Sequence, residues 1–374
     1  MSDRNPHDQH AVRELSDGVE DKLVPLTALD PLAIKSFDEM LAAMSKTAFS
    51  GRSLGEAADV LTEMTLDPDC LVVATFSGAM TVAKMGLVIV RMIEAGMIHA
   101  IISTGALMAH GLSEAVGLTH YKANPQVSDE ELFEKGYNRV YDTLEMEKNL
   151  NTIDEFVRAQ LDKLDPNEPW SSEMICRQLG KALAEMGDSP GILRSAYLHN
   201  VPVYVPAFTD SEIGLDVAVW KLRQMHAKAG NDPNWAPFTH AEPPAYNPFL
   251  DLLSYARLIG SKKKLGIFTI GGGVPRNWAQ QVGPFYDIVS HRLGVEVPTR
   301  PRFQYGIRIC PEPVHWGGLS GCTYSEGVSW GKFVPPAEGG RYAEVYADAT
   351  VAWPMLVRAV LERLEKRRAG QAAK

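Results

Sequence analysis

LVVATFSG, Leu71–Gly78, is the stretch whose reading decides the fold. Leu71–Phe76 carries no charge, and it includes two valines and a threonine. A strand with one wet face would alternate, whereas a continuous apolar run fits a strand covered on both sides, as in parallel sheets. Ser77-Gly78 ends the run with turn residues, and Val82–Ala95 follows at helical spacing. The order then repeats. Ile98–Ser103 (IHAIIS) is a second buried strand, closed by Thr104-Gly105. Two strand–turn–helix units in succession indicate βαβ connections.

Further strands are expected at Val201–Val205, Leu265–Ile270, Phe303–Ile309 and Ala343–Ala347. The third is followed by Pro206, Thr209 and Asp210, the fourth by Gly271-Gly272-Gly273, and the last by Asp348-Ala349. Helices are expected at Phe37–Ala43 and Leu54–Leu66, as N-terminal additions, and at Ser172–Met186, Ile192–Leu198, Asp216–Ala229, Phe249–Ile259 and Val351–Lys366. The charged segment Asp129–Asp165 also reads as helical, and Asn231–Pro248 as a long surface loop. The fold class is therefore α/β, a doubly wound parallel sheet. It is expected as one domain over 23–374 behind a flexible polar tail over 1–22, with no interdomain linker.

Bulk composition narrows the function. The chain is 45% hydrophobic and 22% charged, ordinary for a globular protein. A net charge of -9 argues against binding nucleic acid by phosphate neutralisation. The N-terminal residues MSDRNPHDQH lack the apolar core of a signal peptide. The run Gly86–Ile102 is too short and too charged to span a bilayer, so no membrane partner is expected. Cys70, Cys176, Cys310 and Cys322 form neither a CxxC nor a disulfide framework, which suits a reducing, cytoplasmic setting. His120, His199, His226, His240 and His291 are scattered without ligand spacing, and no metal is expected.

In an open parallel sheet, ligands bind outside the carboxyl ends of the strands. Small or acidic residues stand at five predicted ends: Ser77-Gly78, Thr104-Gly105, Thr209-Asp210, Gly271–Gly273 and Asp348-Ala349. Small residues let backbone approach a pyrophosphate, helix N-termini supply N–H donors, and carboxylates can hold ribose. Ordinary βα turns favour the same residues, and no GxGxxG is present, so both readings stand.

SEGVSWGKF, Ser325–Phe333, supplies a candidate nucleophile. On its own Lys332 reads first as a snorkelling surface lysine beside a core tryptophan, and second as a Schiff-base nucleophile. The second reading rests on the aromatics, Gly331 and the nearby Glu326, because a desolvated lysine loses its charge more readily.

Taken together, TFSGAMT, STGA, VPAFTDSEIG, IGGGV, EGVSWGK and YADAT resemble the deoxyhypusine synthase family, from about Leu23 to the C-terminus. The resemblance implies a Rossmann-like NAD-binding domain, assembled as a homotetramer with sites at subunit interfaces. It implies an alkyl transferase that moves the aminobutyl group of spermidine to an acceptor amine through a lysine imine. Lys332 is then the carrier, with Glu326 placed to pair with an ammonium and Trp330 offering an aromatic face. Ser77, Thr81, Thr104, Gly105, Asp210, Gly272, Asp348 and Ala349 match positions in or beside the NAD-binding segments, and Gly78 lies among them.

The departures fall on the substrate side. His110 stands where the family usually has glutamate, and a role there as general base is expected over that of a core histidine. The second family aspartate falls on Leu215, with Asp216 one residue on. Asn277 takes the place of a substrate-side histidine, and Trp316 and Leu319 stand where aspartates are expected. With His315 and Trp278, these changes point to a more aromatic pocket. A small-molecule acceptor, as in homospermidine formation, is preferred to a translation-factor lysine. A different amine such as agmatine, or a scaffold with reduced activity, are the other readings.

Overall fold

In the computed structural model, the described residues are 15–372, apart from 167, 298–299 and 318–321. Of the expected tail over 1–22, residues 1–14 lie outside this set, and 15–22 are exposed.

The main sheet is built from β1 (Cys70–Phe76), β2 (Ala100–Ser103), β3 (Val203–Tyr204), β4 (Lys264–Ile270), β5 (Phe303–Ile309) and β6 (Arg341–Val345). The spatial order is β3-β2-β1-β4-β5-β6, and every pairing is parallel. β1 lies at the centre. It pairs with β2 from Val73↔Ala100 to Phe76↔Ser103, and with β4 from Cys70↔Lys264 to Phe76↔Ile270. The chain winds outward from β1 to β3, then crosses back to β4 and winds the other way. The order therefore reverses between β1 and β4.

The uniform apolarity of LVVATF has the expected physical cause. Val72, Ala74 and Phe76 face one core with the helix Phe49–Leu66 and the C-terminal helix Ala349–Ala372. Leu71 and Val73 face a second core with Tyr255, Ala279, Tyr324 and Phe333. Side-chain period two sends neighbours to opposite faces, and both faces are dry. In the second core's face, Thr75 Oγ1 donates to Thr269 Oγ1 across β1 and β4 at 2.9 Å, which satisfies two buried hydroxyls.

Two expectations are corrected. Asp129–Asp165 is not one helical stretch. A hairpin of Tyr137–Val140 and Thr143–Met146 interrupts it, and Tyr121–Lys122 completes a small antiparallel sheet. Its acidic and basic residues read as a helical surface, but Glu145 is drawn into the interior by polar partners described below. Tertiary contacts override local propensity there. The loop expected over Asn231–Pro248 contains a short helix, Pro237–His240. Its end is pinned where Trp170 N donates to Ala245 O and Asn247 N donates to Trp170 O, each at 2.7 Å. No helix among the described residues is long and apolar enough to cross a membrane.

Candidate functional site

The reversal between β1 and β4 brings two turns side by side at the carboxyl rim. Gly78, Gly271 and Gly273 all have positive φ, at 72°, 78° and 58°, which glycine adopts without a Cβ penalty. Side chains then tie the turns together. Ser77 Oγ donates to Gly272 O and accepts from Gly272 N. Thr104 Oγ1 donates to Gly78 O at 2.7 Å and accepts from Leu107 N, capping the helix Gly105–Ala115. A Cβ on Gly105 would stand 2.2 Å from Ser211 Cβ, so this glycine is required by the loop after β3. That contact places Asp210, the residue before Ser211, on the same side. The turns after β1, β2, β3 and β4 thus form one rim of small residues beside helix N-termini, a setting suited to a phosphate group.

Lys332 is positioned by a short helix, Tyr324–Ser329. Thr323 caps its start, accepting from Glu326 N at 3.0 Å. At the end Gly331 has φ 69°, Gly331 N donates to Val328 O, and Lys332 N donates to Gly327 O. This pair of bonds is the Schellman arrangement, and it explains why glycine precedes the lysine. Lys332 O then accepts from Phe303 N, and Val334 N donates to Phe303 O, so the segment runs beside the first residue of β5. Phe333 anchors it in the second core, fully buried against Tyr324, Tyr342 and Phe303.

The Lys332 side chain is itself buried, with 6% of the residue exposed. Its Nζ donates to Asn277 Oδ1 at 3.4 Å and lies 5.6 Å from the Trp330 ring centroid. Burial is the main reason its pKa is held below lysine's ordinary value; Cys322 pulls it upward, Arg276 adds to the depression, and Glu326 opposes it. Asn277 and Arg276 lie on the helix Gly273–Gln280, which starts at the rim. At 1.5 Å per residue, Asn277 is about 6 Å below that start. Lys332 therefore reaches toward the rim from beneath the glycine turn.

Two comparisons decide the affiliation. The family model for deoxyhypusine synthase matches residues 39–360. "Probable deoxyhypusine synthase 2" of Methanosarcina acetivorans is 32% identical over 336 residues, 89% of each chain. The chain belongs to the deoxyhypusine synthase family. "Deoxyhypusine synthase-like protein" of Chlorobaculum parvum is 32% identical over 319 residues, covering 85% of this chain and 84% of that one. A solved structure from Entamoeba histolytica that bears the deoxyhypusine synthase name covers 90% of this chain and 97% of that one. Its TM-score is 0.54 at 14% identity, which bears on the fold alone.

Within this deoxyhypusine synthase-family chain, the predicted site residues do not all converge. Lys332, Asn277 and Trp330 meet, and Glu326 acts on Lys332 by its charge. Thr81 is buried, and its hydroxyl donates to Leu107 O, so it braces the helix behind the rim. Asp348 accepts from Thr350 N and caps the C-terminal helix that Ala349 begins. Trp316 ends a short 3-10 turn with 71% of its surface exposed, and Leu319 lies outside the described residues.

Asp216 is buried on the helix Glu212–Lys228. Its Oδ2 has no hydrogen-bond partner among the described residues. Burial, with Glu212 and Asp154 adding repulsion, raises its pKa to about 7. His110 turns to a different group altogether: its Nδ1 lies 3.2 Å from Glu145 Oε2, and His120 Nε2 lies 2.5 Å from the same oxygen.

Sequence reasoning missed Arg276, Cys322, Glu145 and His120. Arg276 is buried, donates to Cys322 O at 2.7 Å and lies over the Tyr324 ring at 5.5 Å. Its place beside Asn277 in VPRNW was the available signal. Glu145 and His120 had none, since their partners are remote in sequence.

Proposed function

We propose that this chain is an NAD-dependent alkyl transferase that moves an aminobutyl group from a polyamine such as spermidine to a second amine through an imine on Lys332. The observation that carries the reading is the buried Lys332. Among the described residues its Nζ has no ion pair, and its one hydrogen bond goes to a neutral amide. A lysine so placed is more readily the free amine that attacks an imine carbon. Asn277 steers that amine, and Trp330 offers a π-face for a cationic chain, worth up to about 2 kcal/mol when desolvated.

The rim fits a dinucleotide. The order β3-β2-β1-β4-β5-β6 is that of Rossmann-like doubly wound folds, which take dinucleotides at the reversal of strand order. Ser77, Gly78, Thr104, Gly105 and Gly272 would line its phosphates, with Asp210, Asp348 and Ala349 farther along the rim and Thr81 bracing from behind. A Cβ on Gly271 would stand 3.0 Å from Ser77 Cβ, so a bare backbone is needed there. Bound there, NAD would supply the hydride acceptor for oxidation of the donor amine and the hydride for reduction of the product imine. Lys332 forms the carbon–nitrogen bond to the oxidised donor as the leaving amine departs, and it then yields the carried group to the acceptor. Glu326 holds an ammonium end of the substrate.

A small-molecule acceptor is the reading preferred here, because the groups beside the Lys332 amine are the Asn277 amide and the Trp330 ring rather than a ring of carboxylates. The exposed faces of Trp330 and Trp316 suit a homotetramer with sites at subunit contacts. The test is incubation with NAD and labelled spermidine, with putrescine or a translation factor as acceptor, followed by borohydride trapping. The expected result is a labelled Lys332 peptide and labelled homospermidine. Label confined to the translation factor overturns the acceptor, and no adduct at Lys332 with any polyamine overturns the reaction.

A further inference from the structure

Three segments meet behind the rim. His110 comes from the helix Gly105–Ala115, His120 from the residue before the strand Tyr121–Lys122, and Glu145 from the strand Thr143–Met146. One carboxylate oxygen, Glu145 Oε2, is shared by His110 Nδ1 and His120 Nε2. One ligand atom from each of the three residues can be chosen so that all lie within 4.8 Å of one another. Glu145 is 1% exposed, and the His120 side chain is fully buried. His120 Nε2 nevertheless has no hydrogen bond of acceptable geometry: it is close to Oε2 but not aligned with it. A buried imidazole nitrogen left without a hydrogen bond beside a carboxylate oxygen is available as a ligand to an ion held between them.

We propose that His110, His120 and Glu145 form a site for one divalent transition metal of the zinc class. Two imidazoles and one carboxylate are a known three-ligand donor set for zinc, which leaves the fourth position open. Zinc takes such ligands at about 2.0–2.2 Å, which in tetrahedral geometry separates donor atoms by roughly 3.3–3.5 Å. The Glu145–His110 separation of 3.2 Å meets that spacing, and the Glu145–His120 contact must open by a little under 1 Å. His110 keeps 20% of its side chain exposed, which gives the ion and its fourth ligand a way in.

The surroundings support the carboxylate as a ligand. Ser113 Oγ donates to Glu145 Oε2 at 3.3 Å and Asn149 Nδ2 donates to Oε1 at 3.4 Å, which orients the group as outer partners do in metal sites. Lys84 Nζ lies 3.1 Å from His120 Nδ1 and 2.6 Å from Glu114 Oε1. With a metal on Nε2, Nδ1 carries the proton, and Lys84, nearly half exposed, turns wholly to Glu114. The bound ion would fasten the small antiparallel sheet to the helix that begins at the rim.

The test uses the full chain, stripped with a chelator and titrated with zinc against a chromophoric competitor, and separately with cobalt. The expected result is one ion per chain and the intense visible absorption of four-coordinate cobalt. H120A and E145Q are expected to lose at least about tenfold in zinc affinity, while K84A retains it. Zinc should raise the melting temperature of the wild type but not of E145Q, which keeps the side-chain volume and guards against a folding defect. No stoichiometric binding, or equal affinity and equal stabilisation in wild type and E145Q, would show a purely hydrogen-bonded triad and overturn the proposal.

Discussion

Asp216→Asn separates a buried, proton-holding carboxyl from a solvated one. The Asp216 pKa rises from 3.8 to about 7, chiefly through burial. Between these values the folded state keeps a proton that the unfolded chain has released. Stability therefore falls as pH rises, by about 1.36 kcal/mol per unit for this one group, and levels off above 7. The full span is about 4 kcal/mol, and the part between pH 5 and pH 8 is about 2–3 kcal/mol. An amide at this position does not titrate, so the variant lacks that slope. Urea unfolding at pH 5, 6, 7 and 8, at fixed protein concentration, gives the difference between variant and wild type. Other titrating groups cancel in that difference to the extent that they do not couple to position 216. The variant should gain about 2–3 kcal/mol on the wild type between the two ends of the range. A difference that stays constant across pH would mean that Asp216 is ionised throughout, and the burial argument would fail.

Gly105→Ala places a methyl against Ser211, and it is expected to cost about 1–3 kcal/mol in thermal stability and to weaken dinucleotide binding. Ser211→Gly in the same chain should recover much of the loss, and no loss in the single variant would contradict the close packing of the two loops. For Lys332, burial lowers the pKa, so the reactive free amine persists to lower pH than for a surface lysine. The rate of borohydride-trapped adduct formation should therefore rise with pH with a midpoint below 10.5, whereas a midpoint at or above 10.5 would contradict a desolvated nucleophile.

Much of the sheet was legible because its signal is local. LVVATF, IHAIIS and LGIFTI are apolar with little interruption, and that pattern marks strands dry on both faces wherever they lie. The turn residues that close them were equally legible, since Ser77, Thr104 and Gly271–Gly273 follow the strands directly. The hairpin Tyr137–Met146 was not legible, because Arg139, Asp142 and Glu145 look like a solvated helical face until Glu145 meets His110 and His120. Lys332 was legible as a candidate only. Its flanks, Gly331 and Trp330, fit a surface lysine as well as a nucleophile.

The sequence by itself determined the parallel α/β sheet, the turns at its rim and the family, because periodicity, turn chemistry and extended motifs are properties of neighbours along the chain. Tertiary structure alone decided which of those residues meet. It reversed the strand order between β1 and β4 and so bound Ser77 to Gly272. It buried the Lys332 amine beside Asn277. It turned His110 toward Glu145 and His120, because contact between remote segments depends on how helices and strands pack, and no local pattern records that.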